Sequence, residues 1–302
     1  MTFNELRYIV AVAQERNFGR AATKCSVSQP ALSVAIQKLE EELGAPLFER
    51  GKSEVTVTTL GERIVEQAQR VLEEAARIRE IAQSGRNQLV GVLHLGVIFT
   101  VAPYLLPDLI PVLLERAPQM PLEIEENVTE SLETSLKTGR IDAAIVALPF
   151  APPGVITTFL YEEPFQVVVP LGHKWAKRKS VQPAELADEH TILLSVGHCF
   201  RDQVLDSCPE LNRPDARVTR TNSLETVRNM VASGLGISVL PRDALTPKYH
   251  SRLVVPVPFA RPAPTRRVAL AARKSFPRPE AIAAIRDAVL DCRVSTARAR
   301  SA

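Results

Sequence analysis

The sequence predicts an α/β protein in which an N-terminal winged helix-turn-helix and a long coiled-coil linker helix precede a larger region of alternating strands and helices. Three observations carry this reading. The N-terminal stretch places apolar residues at helical spacing in three short segments, with a small polar turn before the third. A longer segment after Thr59 keeps one apolar stripe in alternating steps of four and three. From Gly91 onward, short apolar runs of strand type alternate with amphipathic ones.

With 302 residues, 45% of them apolar, the chain can bury two or three cores. Its start, Met1-Thr2-Phe3-Asn4-Glu5-Leu6-Arg7, has no basic segment leading into an apolar one, and no window of ~18 residues is free of polar groups. A cytoplasmic protein with no membrane partner is expected, which argues against a transport-type binding protein. Four cysteines are too few for a secreted disulfide scaffold. The net charge of +3 points to nucleic acid only weakly, because residues 1–90 hold twelve basic and twelve acidic groups while residues 261–302 hold ten against three. Any DNA reading must rest on local pattern.

Phe3, Leu6, Ile9, Val10 and Ala13 predict a first helix over residues 3–15. A second starts near Asn17, where Ala21-Ala22 permits close helix contact and Cys25 falls inward with Phe18. Ser26-Val27-Ser28-Gln29 has the form of a capping box, Pro30 is tolerated in a first turn, and a third helix follows over residues 28–43. Leu32, Ile36, Leu39 and Leu43 make its inner face. A capped second helix after a short turn is the DNA-reading geometry, so Ser28, Gln29, Pro30, Ser33 and Gln37 are the candidate groove residues, Gln29 and Ser33 foremost. Arg50-Gly51-Lys52-Ser53 turns between two extended runs as a wing, with Arg50 and Lys52 aimed at phosphates. These elements define a DNA-binding domain over residues 1–58.

Thr59-Leu60-Gly61-Glu62 is expected to cap a helix reaching about residue 83, within a linker and hinge over residues 59–90. Ile64, Ala68, Val71, Ala75, Ile78 and Ala82 form its seam. A helix packed on its own domain is the alternative, but so small a domain is expected to lack surface for a seam of that length. The seam therefore predicts dimerisation.

The remaining region, residues 91–302, reads as strands at 92–97, 122–125, 141–146, 166–169, 191–195, 216–220, 237–240, 253–257 and 267–272. Helices are expected at 101–116, 129–138, 223–233 and 279–291, a largely parallel sheet, and a frayed basic tail over 293–302. Thr100 and Thr129 each follow a strand at a helix start, where hydroxyls can converge on a small polar ligand or simply cap.

One segment, Gly197-His198-Cys199-Phe200-Arg201-Asp202-Gln203-Val204-Leu205-Asp206-Ser207-Cys208, sets two thiols among charged groups. If it is helical, the cysteines lie about 13 Å apart along the axis, whereas a disulfide needs Cα atoms within about 7 Å. Bonding them would refold the segment, which makes the pair a candidate redox switch. Cys199 sits where a strand gives way to a helix, with His198 and Arg201 to supply positive charge or hydrogen bonds and Asp202 to orient either of them or a bound oxidant. A cation or helix N-terminus favours the reactive thiolate. Cys208 would then resolve a sulfenic acid. Two inert buried cysteines are the alternative, and no metal spacing is present.

Phe18-Gly19-Arg20-Ala21-Ala22, Val27-Ser28-Gln29-Pro30-Ala31-Leu32-Ser33 and Leu39-Glu40 through Leu43-Gly44 to Leu47-Phe48-Glu49-Arg50 closely resemble LysR-type transcriptional regulators. The resemblance spans essentially the whole chain. It implies an effector domain of two periplasmic-binding-protein-like lobes, the first about 91–163 and 265–292 and the second about 164–264. It also implies double-stranded operator DNA as partner, a homodimer that pairs into a homotetramer, and RNA polymerase as partner when activating. The Gly197–Gln203 run with Cys208, together with Thr100–Pro107 and Ser223–Met230, resembles the hydrogen-peroxide-sensing members in particular. That implies Cys199 as peroxidatic and Cys208 as resolving thiol, no cofactor, Thr100, Thr129, His198 and Asp202 around the peroxide, and Arg266 favouring the thiolate. Ser195-Val196 departs from the acidic pair that many such members carry. A LysR-type regulator of a small organic effector bound between the lobes, with silent cysteines, is the competing reading. An enzyme such as a thiol peroxidase is a third, which the DNA module and the missing peroxidase motif disfavour.

Overall fold

The computed structural model describes residues 1–50, 55–84, 87–246, 249 and 251–299, and the chain divides into a unit over Met1–Asn87 and another over Gln88–Ala302. The first unit contains α1 (Phe3–Glu15), α2 (Phe18–Lys24), α3 (Gln29–Leu43), β1 (Phe48–Arg50), β2 (Val55–Val57) and α4 (Thr59–Ser84). Local chemistry sets each start. Thr2 and Glu5 form a reciprocal capping box on α1, Asn17 caps α2, and the Ser28 hydroxyl accepts from the Ala31 N–H at the start of α3. The cap is therefore Ser28 and not Ser26, which stands in the turn at φ 59°. α4 is capped one residue earlier than expected, by Thr58, whose hydroxyl accepts from Gly61 at 2.9 Å. Gly61 is required there, because a Cβ would lie 2.2 Å from the Leu47 carbonyl oxygen.

Leu6, Ile9, Val12, Ala21, Leu32, Ile36, Leu39 and Leu47 form the core of this unit, with Phe18 edge-on to Phe48 at its rim. Phe3 and Leu43 are exposed, at 57% and 39%, because they lie at helix ends beyond the packed partners. Cys25 is half-buried at the end of α2, at the core's margin rather than inside it. The seam of α4 divides. Ala68 is buried and Ile64 packs on this core, so the domain does cover the first turns, while Val71 and Ile78 are exposed. The side chain of Ala82 and residues 51–54, Lys52 included, lie outside the described residues, as does the side chain of Arg50, whose backbone ends β1.

The second unit runs β3 (Leu93–Ile98), α5 (Ala102–Arg116), β4 (Leu122–Asn127), α6 (Thr129–Lys137), β5 (Ala143–Ala147), β6 (Val155–Pro170), β7 (Thr191–Leu194), α7 (Cys199–Ser207), β8 (Val218–Thr221), α8 (Leu224–Ala232), β9 (Ile237–Pro241), β10 (Val254–Pro258), β11 (Thr265–Arg273) and α9 (Pro279–Ala299). The strands form one nine-stranded sheet in the order β4, β3, β5, β11, β6, β9, β7, β8, with β10 on β6. The sheet is mixed rather than largely parallel. Its two ends are parallel, but β11 pairs antiparallel with β5 and β6, and β6 pairs antiparallel with β9 and β10. The cause is β6, sixteen residues long where only residues 166–169 were expected, which passes from one core to the other. One core gathers Leu95, Leu109, Ile145, Leu270 and Ile285, and the other Phe165, Val168, Ile192, Phe200 and Val239. The backbone of 293–299 continues α9 where a frayed tail was expected. Among the described residues no helix is long and apolar enough to cross a membrane.

Candidate functional site

The loop from β7 to α7 is shaped by Gly197, whose φ of 99° lies in the left-handed region open to glycine. Ser195 ties the loop's start to the Thr221 carbonyl, and Val196 beside it is exposed. His198 then takes the extended N-cap conformation and Cys199 becomes the first helical residue, half-buried, at the end where N–H groups have no helical partner. Phe200 and Val204 carry the helix's buried face into the second core, with Phe200 edge-on to Phe165 at 5.0 Å. The helix stops at Ser207, where Cys208 caps it, donating its N–H to the Val204 carbonyl at 2.8 Å. Both cysteines are free thiols, at opposite ends of α7. Cys208 is 1% exposed, and burial, aided by the Glu210 carboxylate, pushes its thiol up to about 12.

Beside this helix start lies a buried charge pair. Antiparallel pairing of β11 with β6 sets Arg266 opposite Glu163. Arg266 donates from Nε to Glu163 at 2.7 Å, from one terminal nitrogen to the Thr100 hydroxyl at 2.9 Å and from the other to the Thr100 carbonyl at 3.0 Å. Its guanidinium lies over the Phe200 ring at 5.2 Å, and Cys199 is within reach of its charge. Burial works against the Arg266 charge, but Glu163 together with Tyr161 and Cys199 outweighs it, and the guanidinium is held above its ordinary value. Burial pushes the Glu163 carboxyl up, with Arg266 pulling the other way. The second Glu163 oxygen accepts from the Asp243 N–H at 2.8 Å.

His198 is nearly buried and tilted against Phe99 at 6.0 Å, and burial lowers its imidazole below the usual value, favouring the neutral ring. Thr129 opens α6, and its hydroxyl oxygen is buried with no hydrogen-bond partner. The Gln203 amide oxygen is in the same condition, while its nitrogen donates to the Leu148 carbonyl at 3.2 Å. Asp202 does not join these groups. It is exposed and bound to Arg201 at 2.7 Å, because it stands on the solvent side of α7. A cavity of about 470 Å³, lined by Thr100, Tyr104, Glu126, His198, Asn222 and Glu225 among others, adjoins the site.

The structure thus gathers Thr100, Phe200 and Glu163 around Arg266, whose charge reaches Cys199, and leaves Asp202 outside; Glu163 and Gln203 are additions that the sequence reading missed. The signal for Glu163 was a carboxylate inside the strand run Tyr161-Glu162-Glu163-Pro164-Phe165, opposite a guanidinium in a later strand.

On α3, Ser28, Gln29, Pro30 and Gln37 are exposed and Ser33 is partly so, while Leu32, Ile36 and Leu39 are buried on the opposite face. Val34 shares the outer face and is 65% exposed, an apolar side chain among polar ones that sequence reading passed over.

Residues 3–62 match the bacterial regulatory helix-turn-helix protein, lysR family, and residues 86–292 match the LysR substrate binding domain. The chain is 40% identical over 277 residues to a DNA-binding transcriptional dual regulator, OxyR, of Escherichia coli K12, covering 92% of this chain and 91% of that one. It is similar to the structure of a full-length Pseudomonas aeruginosa OxyR carrying a cysteine-to-aspartate change, at 52% identity and a TM-score of 0.82, covering 96% of this chain and 94% of the other. A hydrogen-peroxide-bound cysteine mutant of the Corynebacterium glutamicum OxyR is similar at 34% identity and a TM-score of 0.66, over 97% and 93% of the two chains.

Proposed function

The chain belongs to the lysR family of bacterial regulatory helix-turn-helix proteins, and on that premise we propose that it is a DNA-binding transcriptional regulator, not an enzyme, that senses hydrogen peroxide through Cys199 and Cys208. The observation that carries the roles is the asymmetry of the two thiols. Cys199 stands at a helix N-terminus within reach of the buried Arg266 cation, while Cys208 is buried and held as a thiol at the far end of the same helix.

The Cys199 thiolate attacks one oxygen of peroxide. An S–O bond forms, the O–O bond breaks, and the leaving hydroxide takes a proton to become water, leaving a sulfenic acid. The Cys208 thiol then attacks that sulfur, an S–S bond forms, the S–O bond breaks, and a second water departs. Two electrons pass from the two thiols to peroxide. Thr100, the partnerless Thr129 hydroxyl and neutral His198 supply hydrogen-bonding groups for the oxidant, and Arg266 favours the thiolate. Asp202, exposed and paired, has no part in this reduced-state reading.

Around the switch, the two cores support a division into lobes at 91–163 with 265–292 and at 164–264. The exposed face of α3 serves as the groove reader and the wing as phosphate contact. The exposed Val71 and Ile78 support pairing of two copies through α4, with a tetramer and RNA polymerase as the further partners. Mass spectrometry of the full chain after mild peroxide tests the reading. A 199–208 disulfide formed before any other, absent in Cys199→Ser and replaced by a trappable sulfenic acid on Cys199 in Cys208→Ser, is the expected result. Cysteines that stay reduced would overturn it and favour a small organic effector in the adjoining cavity.

A further inference from the structure

We propose that Glu163 sets how much of the Arg266 charge reaches Cys199, and so restrains the reactivity of the thiol. The inference rests on the reading of Cys199 as the peroxide-reactive group, and deepens it by assigning a positioning residue behind Arg266. Arg266 and Glu163 are 1% and 0% exposed, so water screens neither. The carboxylate lies 2.7 Å from the guanidinium Nε. From Cys199, a bare guanidinium would act as a unit charge, whereas the pair acts as a dipole whose field falls off faster with distance.

The pair is built to keep this arrangement. The two terminal nitrogens of Arg266 both donate to Thr100, its face is covered by Phe200, and Nε together with one terminal nitrogen faces the same Glu163 oxygen at 2.7 Å. Glu163 is in turn gripped from behind by the Asp243 N–H at 2.8 Å, and cross-strand register fixes both backbones. Neither charge can swing away to water. Such a pair is costly to bury and is no guarantee of stability, which makes a role in tuning the neighbouring thiol the fitting explanation for its place. The guanidinium is thereby divided between two neighbours of opposite effect: Cys199, which gains from the full cation, and Glu163, which reduces it. A regulator needs a thiol that ignores basal peroxide, and a tempered cation provides one.

The test compares the reduced full-length chain with Glu163→Gln, which keeps the side chain's shape and removes its charge. The rate of Cys199 alkylation by iodoacetamide, read by peptide mass spectrometry across a pH series, is expected to rise roughly tenfold near neutral pH, with its pH profile displaced toward acid. A rate that falls or does not change would overturn the proposal, since a merely structural Glu163 would release Arg266 and slow the reaction. Should that variant fail to fold, Glu163→Asp draws the carboxylate back by one methylene and is expected to give a smaller acceleration, with a slower or unchanged rate again overturning the idea. Alkylation needs no peroxide, so a wild-type Cys199 that alkylates as expected but resists oxidation would count against the proposed function and not against this role of Glu163.

Discussion

Cys199 opens helix α7 and Cys208 closes it, so the two thiols that would bond are kept apart by the helix between them. Nine residues of helical rise separate them by about 13 Å along the axis, against the ~7 Å that a disulfide allows between Cα atoms. The helix is thus incompatible with the bond. The N–H groups of residues 203–207, bonded within the helix in the reduced protein, are expected to exchange with solvent at least about a hundredfold faster once the disulfide forms. Unchanged protection in the oxidised protein would show that the bond forms without unwinding α7.

The Cys208 thiol gives a pH signature. Burial raises it in the folded state to about 12 from an ordinary 9.0, so the folded protein holds a proton there that the unfolded chain releases. The stabilisation is fully present below the unfolded value and is lost as pH rises through the window between the two. Chemical denaturation of reduced wild type and Cys208→Ser should show the wild type losing stability relative to the variant between those limits, by on the order of a few kcal/mol. A constant difference across the window would contradict the burial. In native protein near pH 8, Cys208 should also alkylate far more slowly than Cys199.

Periodicity made the helices legible, and cap chemistry placed their starts to within a residue or two, as Ser28 and Asn17 illustrate. The position of Cys199 at a helix start was legible because strand end, glycine turn and helix start follow one another in sequence. What escaped was set by partners remote along the chain. Glu163 meets Arg266 only because β6 runs on past its apolar half to pair with β11. Arg266 could as well have been a surface charge like its neighbour Arg267, which is exposed and stacks on Phe159. Asp202 bonds Arg201, one of the groups it was expected to orient, but that the pair faces solvent was not legible, because spacing on one helix says which face a side chain takes, not what lies opposite that face. The seam of α4 was read as one surface, but Ala68 is buried in its own domain while Ile78 is bare, a division no repeat encodes.

Val34 makes a specific expectation about DNA. An exposed β-branched residue on the outer face of α3, flanked by Ser33 and Gln37, suits the 5-methyl group of a thymine in the major groove. Selection from a random duplex library should yield a thymine at one position, and replacing it by uracil should cost about 1 kcal/mol. Val34→Ala should show the same loss with thymine and no further loss with uracil. Gln29→Ala should relax preference at a different step, and Arg50→Ala should weaken all sequences and reduce the salt slope by about one. A uracil effect undiminished in Val34→Ala would place the methyl contact elsewhere.

The last expectation joins the switch to the assembly. Phe200 and Val204 are fixtures of the second core, the first packed between Phe165 and the Arg266 guanidinium. Closing the 199–208 bond must bring the ends of α7 nearer by about 6 Å, which both side chains cannot follow from their present seats. A core that loses two such groups pays several kcal/mol, roughly 3–5 for a buried aromatic, unless the segment repacks. Repacking changes the surface over α7, and a subunit interface responds to such a change by shifting between discrete registers. Oxidation is therefore expected to alter the spacing of the DNA-binding heads while pairing through the Val71 and Ile78 face of α4 persists. A bis-maleimide should link cysteines placed at Ile78 equally well in both redox states, while footprints on one operator should differ. Identical footprints with identical bend angles in the reduced and oxidised protein would refute the coupling.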